Sequence, residues 1–307
     1  MRPCTAPKLT LLVALLACAG PAAAGSYNYG GGGYGGGEAG FLVLLEAGVA
    51  APRNTDNVVA ASGPNVIIPD WSEDLAGRIG LGYQFAGGNR LLVSFWSFET
   101  DQDATGVGAF EFPIGPTSGF GYDLTTEVKA NTVDVSWTTG HALTEAFGME
   151  WSMGLRFADF EDTTTGSYDT TGGTRAVDKS NEGTMVGARV AGRATYRLRS
   201  FSAGAAVGLS LLDGEIEAGS SLSPQPAGTS PLVLTDDSRS GSILDVELRA
   251  AWHGSRDAVS IWVGWEEQVW EDIAADLARN LPDSAVIVRD RDSVTFSWAK
   301  AGVSFRF

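Results

Sequence analysis

The chain has 307 residues, with 21 Lys+Arg against 37 Asp+Glu and a formal net charge of −16. That acidic surplus argues against a nucleic-acid-binding protein, because phosphate contacts need Lys and Arg, and 44% hydrophobic residues argue against wholesale disorder. No apolar run reaches the roughly 18 residues of a membrane helix, which leaves a soluble β protein or a barrel with one apolar and one polar face.

Residues 1–24 read as a secretory signal peptide. Arg2 and Lys8 form a basic start, Leu9 to Gly20 an apolar stretch too short to span, and Ala22-Ala23-Ala24 a small-residue cleavage site. The rival lipoprotein reading, with Leu15-Leu16-Ala17 before Cys18, suffers from the bulk of Leu16. Cleavage near Ala24 removes both cysteines, Cys4 and Cys18, and with them disulfides, thiolate metal sites and cysteine nucleophiles. Residues 25–40 follow as a flexible Gly/Tyr-rich leader, since Gly30 to Gly37 is glycine throughout except Tyr34. A phosphate-cradling loop would need a helix and a Lys after it, and Phe41-Leu42-Val43-Leu44-Leu45 reads as a strand instead.

Residues 41–307 read as one outer-membrane β-barrel. Strands are expected at about 41–51, 75–86, 90–100, 126–138, 146–159, 184–198, 201–212, 242–253, 258–269 and 293–307, most alternating with period two. In the clearest, Phe147, Met149, Trp151, Met153, Leu155 and Phe157 face one way, and Gly148, Glu150, Ser152, Gly154, Arg156 and Ala158 the other. Strand 90–100 is ambiguous, because both of its faces are apolar. Short connections (Gly87-Gly88-Asn89, Thr139 to Glu145, Arg199-Ser200, Gly254 to Asp257) alternate strictly with long ones (52–74, 101–125, 160–183, 213–241, 270–292). Tight periplasmic turns and long extracellular loops are the asymmetry of outer-membrane barrels. The expectation is therefore an all-β, transmembrane, up-and-down antiparallel barrel of about ten strands, with eight or twelve still open.

Residues nearest the short turns are aromatic on the outward face: Tyr83, Phe85, Trp137, Phe147, Tyr196, Phe201, Trp252, Phe305 and Phe307. Such a ring suits a membrane interface. Inward positions carry both charge signs. The lumen-lining candidates are Glu150, Arg156, Arg189, Arg193, Arg197, Asp245, Glu247, Arg249, Glu266 and Lys300, joined by Glu46, Arg78, Asp134 and Arg306. On the lipid face each Arg or Lys would cost about 2–4 kcal/mol at the midplane, so energetics places them inside. Their charges can pair and close the lumen or line a narrow water path, which small inward residues such as Gly148, Gly154, Gly187, Gly204 and Gly208 would favour.

Little points to an enzyme. His141 and His253, the only histidines, fall at short turns, and no G-x-S-x-G elbow occurs. The acidic pairs Asp101/Asp103, Glu161/Asp162, Asp236/Asp237 and Glu271/Asp272 are placed in loops without calcium-loop spacing. No catalytic residue, cofactor or metal site is expected. The last strand alternates to Ser304-Phe305-Arg306-Phe307, a C-terminus that resembles the signal read by the outer-membrane barrel-assembly machinery.

Gly154-Leu155-Arg156-Phe157-Ala158, Gly187-Ala188-Arg189-Val190, Val263-Gly264-Trp265-Glu266 followed by Trp270, and the terminal Ala301 to Phe307 resemble the Legionella-type major outer membrane protein family of pore-forming barrels. The resemblance covers strands five to ten and implies a porin-like or structural role without catalytic residues. The cysteines of that family's type member have no counterpart once the signal is removed. The expected function is a small passive pore for ions or polar solutes in the outer membrane bilayer. The alternative is a closed structural or adhesive barrel acting through its acidic loops. Oligomeric state is open.

Overall fold

The structure, a computed structural model, describes residues 39–53, 60–62, 65–67, 73–106, 110–112, 115–117, 121–170, 173–223, 232–254, 258–273, 275–280, 285–290 and 293–307. The signal peptide and nearly all of the leader lie outside the described residues. Sixteen strands are formed among these, numbered here in chain order. Ten close a barrel: β1 (Gly40–Arg53), β4 (Asp74–Gln84), β5 (Arg90–Gly106), β8 (Tyr122–Ala142), β9 (Phe147–Thr170), β10 (Gly173–Leu198), β11 (Phe201–Ser223), β12 (Leu232–His253), β13 (Val259–Glu271) and β16 (Ser293–Arg306). The other six are short. β2 (Ala60–Ser62), β3 (Asn65–Ile67), β6 (Phe110–Phe112) and β7 (Gly115–Thr117) make a four-stranded sheet, and β14 (Ala275–Asn280) pairs with β15 (Ala285–Asp290).

Every neighbouring pair in the barrel is antiparallel and follows chain order, and β1 meets β16 to close the ring, with Leu42 opposite Arg306 and Arg53 opposite Thr295. Closure leaves no sheet edge, so the wall's backbone N–H and C=O groups pair between strands without water, interrupted in the β11–β12 ladder by a register shift between Ile216 and Ala218. The main-chain bonds between Phe41 and Phe307, 3.1 and 3.0 Å, seal the ring at its short-turn end. The turns there are tight. Arg199 takes a left-handed φ of 55° in the two-residue β10–β11 turn, and Gly88 one of 84° between β4 and β5.

The outward faces form a continuous apolar belt. On β9, β10 and β11 it comprises residues such as Met153, Val190, Val207 and Leu211, each more than half exposed. Above it the outward positions switch to Asp159, Glu161, Glu182, Asp213, Glu215 and Glu217. A soluble protein would not expose an apolar band around its whole girth; a lipid-facing barrel must. At the short-turn rim the aromatics cluster. Phe41, Tyr83, Phe85 and Trp137 follow one another in T-shaped and tilted ring contacts with centroids 5.0–5.3 Å apart. Tyr196, Phe201, Trp252 and Phe307 are all exposed at the same level.

The strands run much further than the sequence implies. Expected ends near 138, 159 and 212, and starts near 184 and 242, become strands of 21 to 26 residues in β8 to β12. Most of the expected long loops are therefore upward continuations of the wall, and Asp101, Asp103, Glu161 and Asp162 sit in paired strands. The reason is physical. Apolar alternation stops where the outward face leaves the belt and becomes solvated, while ladder pairing continues as long as the inward face stays covered.

Candidate functional site

The lumen divides into two zones along the barrel axis. The zone nearer the short turns is polar. Arg156, only 1% exposed, reaches from β9 to two carboxylates. It donates to Asp134 on β8 at 2.6 and 2.7 Å and to Asp245 on β12 at 3.0 Å. Arg189 joins them, donating to Asp245 at 3.0 Å. On the opposite wall Arg78 donates to Glu46 at 2.9 Å and to Glu266 at 2.7 Å. Lys300 bonds the same two carboxylates, Glu46 at 3.3 Å and Glu266 at closer range. Four cations thus face four carboxylates in one buried layer. Charge-assisted bonds to both oxygens of each acid make such a layer tolerable at low dielectric.

Alternation puts these side chains inward, but small neighbours let them meet. On β11 the inward residues are Gly204, Ala206, Gly208 and Ser210. Arg189 on β10 crosses above Gly208 to Asp245 on β12, and a Cβ on Gly208 would stand 2.9 Å from the guanidinium and 3.0 Å from the carboxylate. Gly154 and Gly187 act differently: a Cβ there would collide with the carbonyl oxygens of Val135 and Leu211 on the adjoining strands. These glycines, expected to leave room for water, serve close strand approach and ion pairing.

Between this layer and the short turns lies a cavity of about 690 Å³. Arg90, Glu150, Arg193, Arg249, Arg197 and Arg306 line it towards the rim. Arg90 donates to Glu150 at 2.6 Å, and Arg193 donates to Glu247 at 2.8 Å. Arg249 lies over the Trp262 ring at 5.1 Å, with its Nε 3.8 Å from Glu247. His253 bridges Ser202 at 2.8 Å and Ser260 at 2.9 Å, tying three strands together beside the mouth. His141 is exposed at the end of β8.

The second zone was not foreseen as a lumen feature. Above the charged layer Trp96, Phe98, Trp270, Phe296 and Trp298 fill the barrel, each no more than 1% exposed. Trp96 touches Trp270, Phe296 and Trp298 with centroids 5.8–6.3 Å apart. Phe160, Met185, Ile216 and Ile243 continue the filling towards the long-strand end. The two zones are coupled. Arg78 and Lys300 lie 5.3 and 4.8 Å from the Trp298 ring centre, and Trp270 donates to Gln268, which donates to Glu266. One sequence signal for this plug existed: the two apolar faces of strand 90–100. Leu91, Val93 and Phe95 face out, while Trp96 and Phe98 face in.

All ten lumen-lining candidates face inward, as do Glu46, Arg78, Asp134 and Arg306. Arg156, Arg189, Asp245, Glu266 and Lys300 belong to the paired layer. Glu150, Arg193, Glu247 and Arg249 line the cavity, and Arg197 reaches the rim with its Nε on the Arg199 carbonyl at 3.1 Å. The nine girdle candidates stand on the outward face at the short-turn end. Among the described residues no group of three or more His, Cys, Asp or Glu could hold a metal ion.

No family model and no curated protein matches the chain. The resemblance to the Legionella-type proteins rests on the strand motifs alone. Solved structures do match. The outer membrane protease OmpT of Escherichia coli superposes with a TM-score of 0.55 at 11% identity, covering 87% of this chain and 97% of that one. The translocator domain of the autotransporter NalP of Neisseria meningitidis gives 0.41 at 10% identity over 87% and 88%. Neisserial surface protein A gives 0.32 at 12% identity over 88% and 99%. The OmpT match is one of fold: a closed barrel of the outer-membrane type.

Proposed function

We propose that this chain is a non-conducting barrel of the bacterial outer membrane, with its short turns in the periplasm and its tall β8–β12 wall outside the cell. The observation that carries this reading is the aromatic plug. Trp96, Phe98, Trp270, Phe296 and Trp298 pack against one another inside the barrel above the charged layer, each no more than 1% exposed. Pores keep a polar, water-filled interior along their whole length, whereas here one zone of the interior is packed as a protein core. Of the two functions open from sequence, the closed structural or adhesive barrel is the one this packing supports. Its working surface is the acidic wall, which fits contact with matrix or partner surfaces. The same reading gives the chain no catalytic role, since neither histidine lies near that wall.

Planar bilayer recording tests it. Purified protein is expected to give no discrete conductance steps at high load. Recurrent steps that scale with protein would restore the passive-pore reading.

A further inference from the structure

Charge is distributed unevenly inside the barrel. The buried layer is neutral: Arg78, Arg156, Arg189 and Lys300 against Glu46, Asp134, Asp245 and Glu266. The cavity between that layer and the short turns is not. Among the described side chains that line its outer part, Arg90, Arg193 and Arg249 face Glu150 and Glu247, one cation in excess. A protein of net charge −16 thus concentrates cations in one concave, low-dielectric recess, an arrangement that focuses potential on anions.

Two of these arginines form a cradle. Arg193 on β10 lies opposite Ala206 of β11, and Arg249 on β12 lies opposite Gly204 of β11. Only a hydrogen and a methyl group of β11 stand on the wall between the two guanidiniums. Arg193 donates to Glu247 at 2.8 Å, and the Nε of Arg249 lies 3.8 Å from the other oxygen of the same carboxylate, an ion-pair distance. A guanidinium has five N–H donors, so most of each fork remains for a second acceptor. The Trp262 ring beneath Arg249 fixes its plane. Glu150, the other acid, is taken by Arg90 at 2.6 Å.

We propose that this recess binds a small multivalent anion of phosphate type, held between Arg193 and Arg249 and entering from the short-turn side. Forked donors match tetrahedral oxyanions bidentately. Because the plug closes the far end, the anion leaves by the mouth through which it came. This last clause rests on the closed-barrel reading; the binding itself does not.

The test is isothermal titration of inorganic pyrophosphate into the full-length folded protein in detergent at low salt. Saturable single-site binding is expected, weakened at least about tenfold in R193Q/R249Q and by a smaller factor in R193K/R249K, which keeps the charge but loses the fork. Raising the salt weakens binding, as expected for an ionic site. No saturable binding, or unchanged affinity in R193Q/R249Q, overturns the proposal. Binding of a short-chain phosphatidic acid but not of pyrophosphate overturns the soluble-anion source and assigns the site to a lipid headgroup. Conductance plays no part in the readout, so failure of the closed-barrel reading and failure of this site are distinguishable.

Discussion

At the scale of residues, Arg156 shows how a charge is kept inside a barrel. Its guanidinium is buried and bonded to Asp134 and Asp245 on both sides. Removing it leaves two buried carboxylates to share Arg189, one cation short, which costs far more than the pair contributes. R156M is expected to lose about 3–5 kcal/mol of unfolding stability, measured by urea unfolding in lipid vesicles with tryptophan emission as readout. The quadruple variant D134N/R156M/R189M/D245N is expected to lose clearly less, because it removes both carboxylates together with both cations that pair with them. Equal losses would contradict the account. Gly187 makes a separate point. Its missing side chain lets the β11 carbonyl of Leu211 approach, so G187A is expected to cost more than about 1 kcal/mol by forcing the strands apart. An unchanged unfolding midpoint would mean that the strand can shift freely there.

At the scale of elements, β5 and the β9–β11 wall carry most of what is unusual. β5 alternates apolar on both faces because one face meets lipid and the other builds the plug. Trp96 is its centre, in contact with three aromatic rings. W96A is expected to cost about 3–5 kcal/mol, the usual loss for a buried aromatic truncated to alanine. The wall carries an electrostatic cost of its own. Register places Glu161, Glu182 and Glu217 directly opposite one another on three adjacent strands above the apolar belt. Partial desolvation, then the neighbouring Glu161, Glu217 and Asp159, hold the Glu182 carboxyl above its ordinary value. A raised carboxyl stabilises the folded state only while protonated, and that stability is lost as pH rises through its folded-state value. E182Q is therefore expected to gain a few tenths of a kcal/mol at pH 7.5, after screening at an exposed site. The gain should vanish near pH 4. A gain that persists at pH 4 would assign it to something other than charge.

At the scale of the whole molecule, the axis runs from a short-turn mouth through a cationic recess and a neutral charged layer to a plug. Accessibility should follow that order. With Cys4 and Cys18 in the segment expected to be cleaved, single cysteines give clean probes. S202C, beside the mouth, is expected to react with a membrane-impermeant maleimide added from the short-turn side. T164C, buried beyond the plug, should react from neither side. Labelling of T164C in the folded protein would show an open lumen. This axial order was partly legible in the amino-acid sequence. The inward position of Arg189, Arg193 and Arg197 followed from period two and from the cost of a cation against lipid. Their partners did not. Arg156 and Asp245 are 89 positions apart and three strands apart around the ring, a distance that alternation alone does not convert into contact. The plug was hidden for a related reason. An inward tryptophan and a lipid-facing one look alike in a strand, and only the ring of neighbours tells which side is which.

The sequence by itself determined the class of fold, the ten barrel strands, the sidedness of short and long connections, and which charges turn inward. Those follow from local rules, namely alternation, turn chemistry and the aversion of charge to lipid. Tertiary structure alone decided how far the strands continue past the belt, which cations meet which carboxylates, and that aromatic side chains pack together inside the barrel. Each of these depends on closing the barrel, because closure brings β5, β13 and β16 face to face across its interior. There their aromatic side chains have no room to do anything but pack.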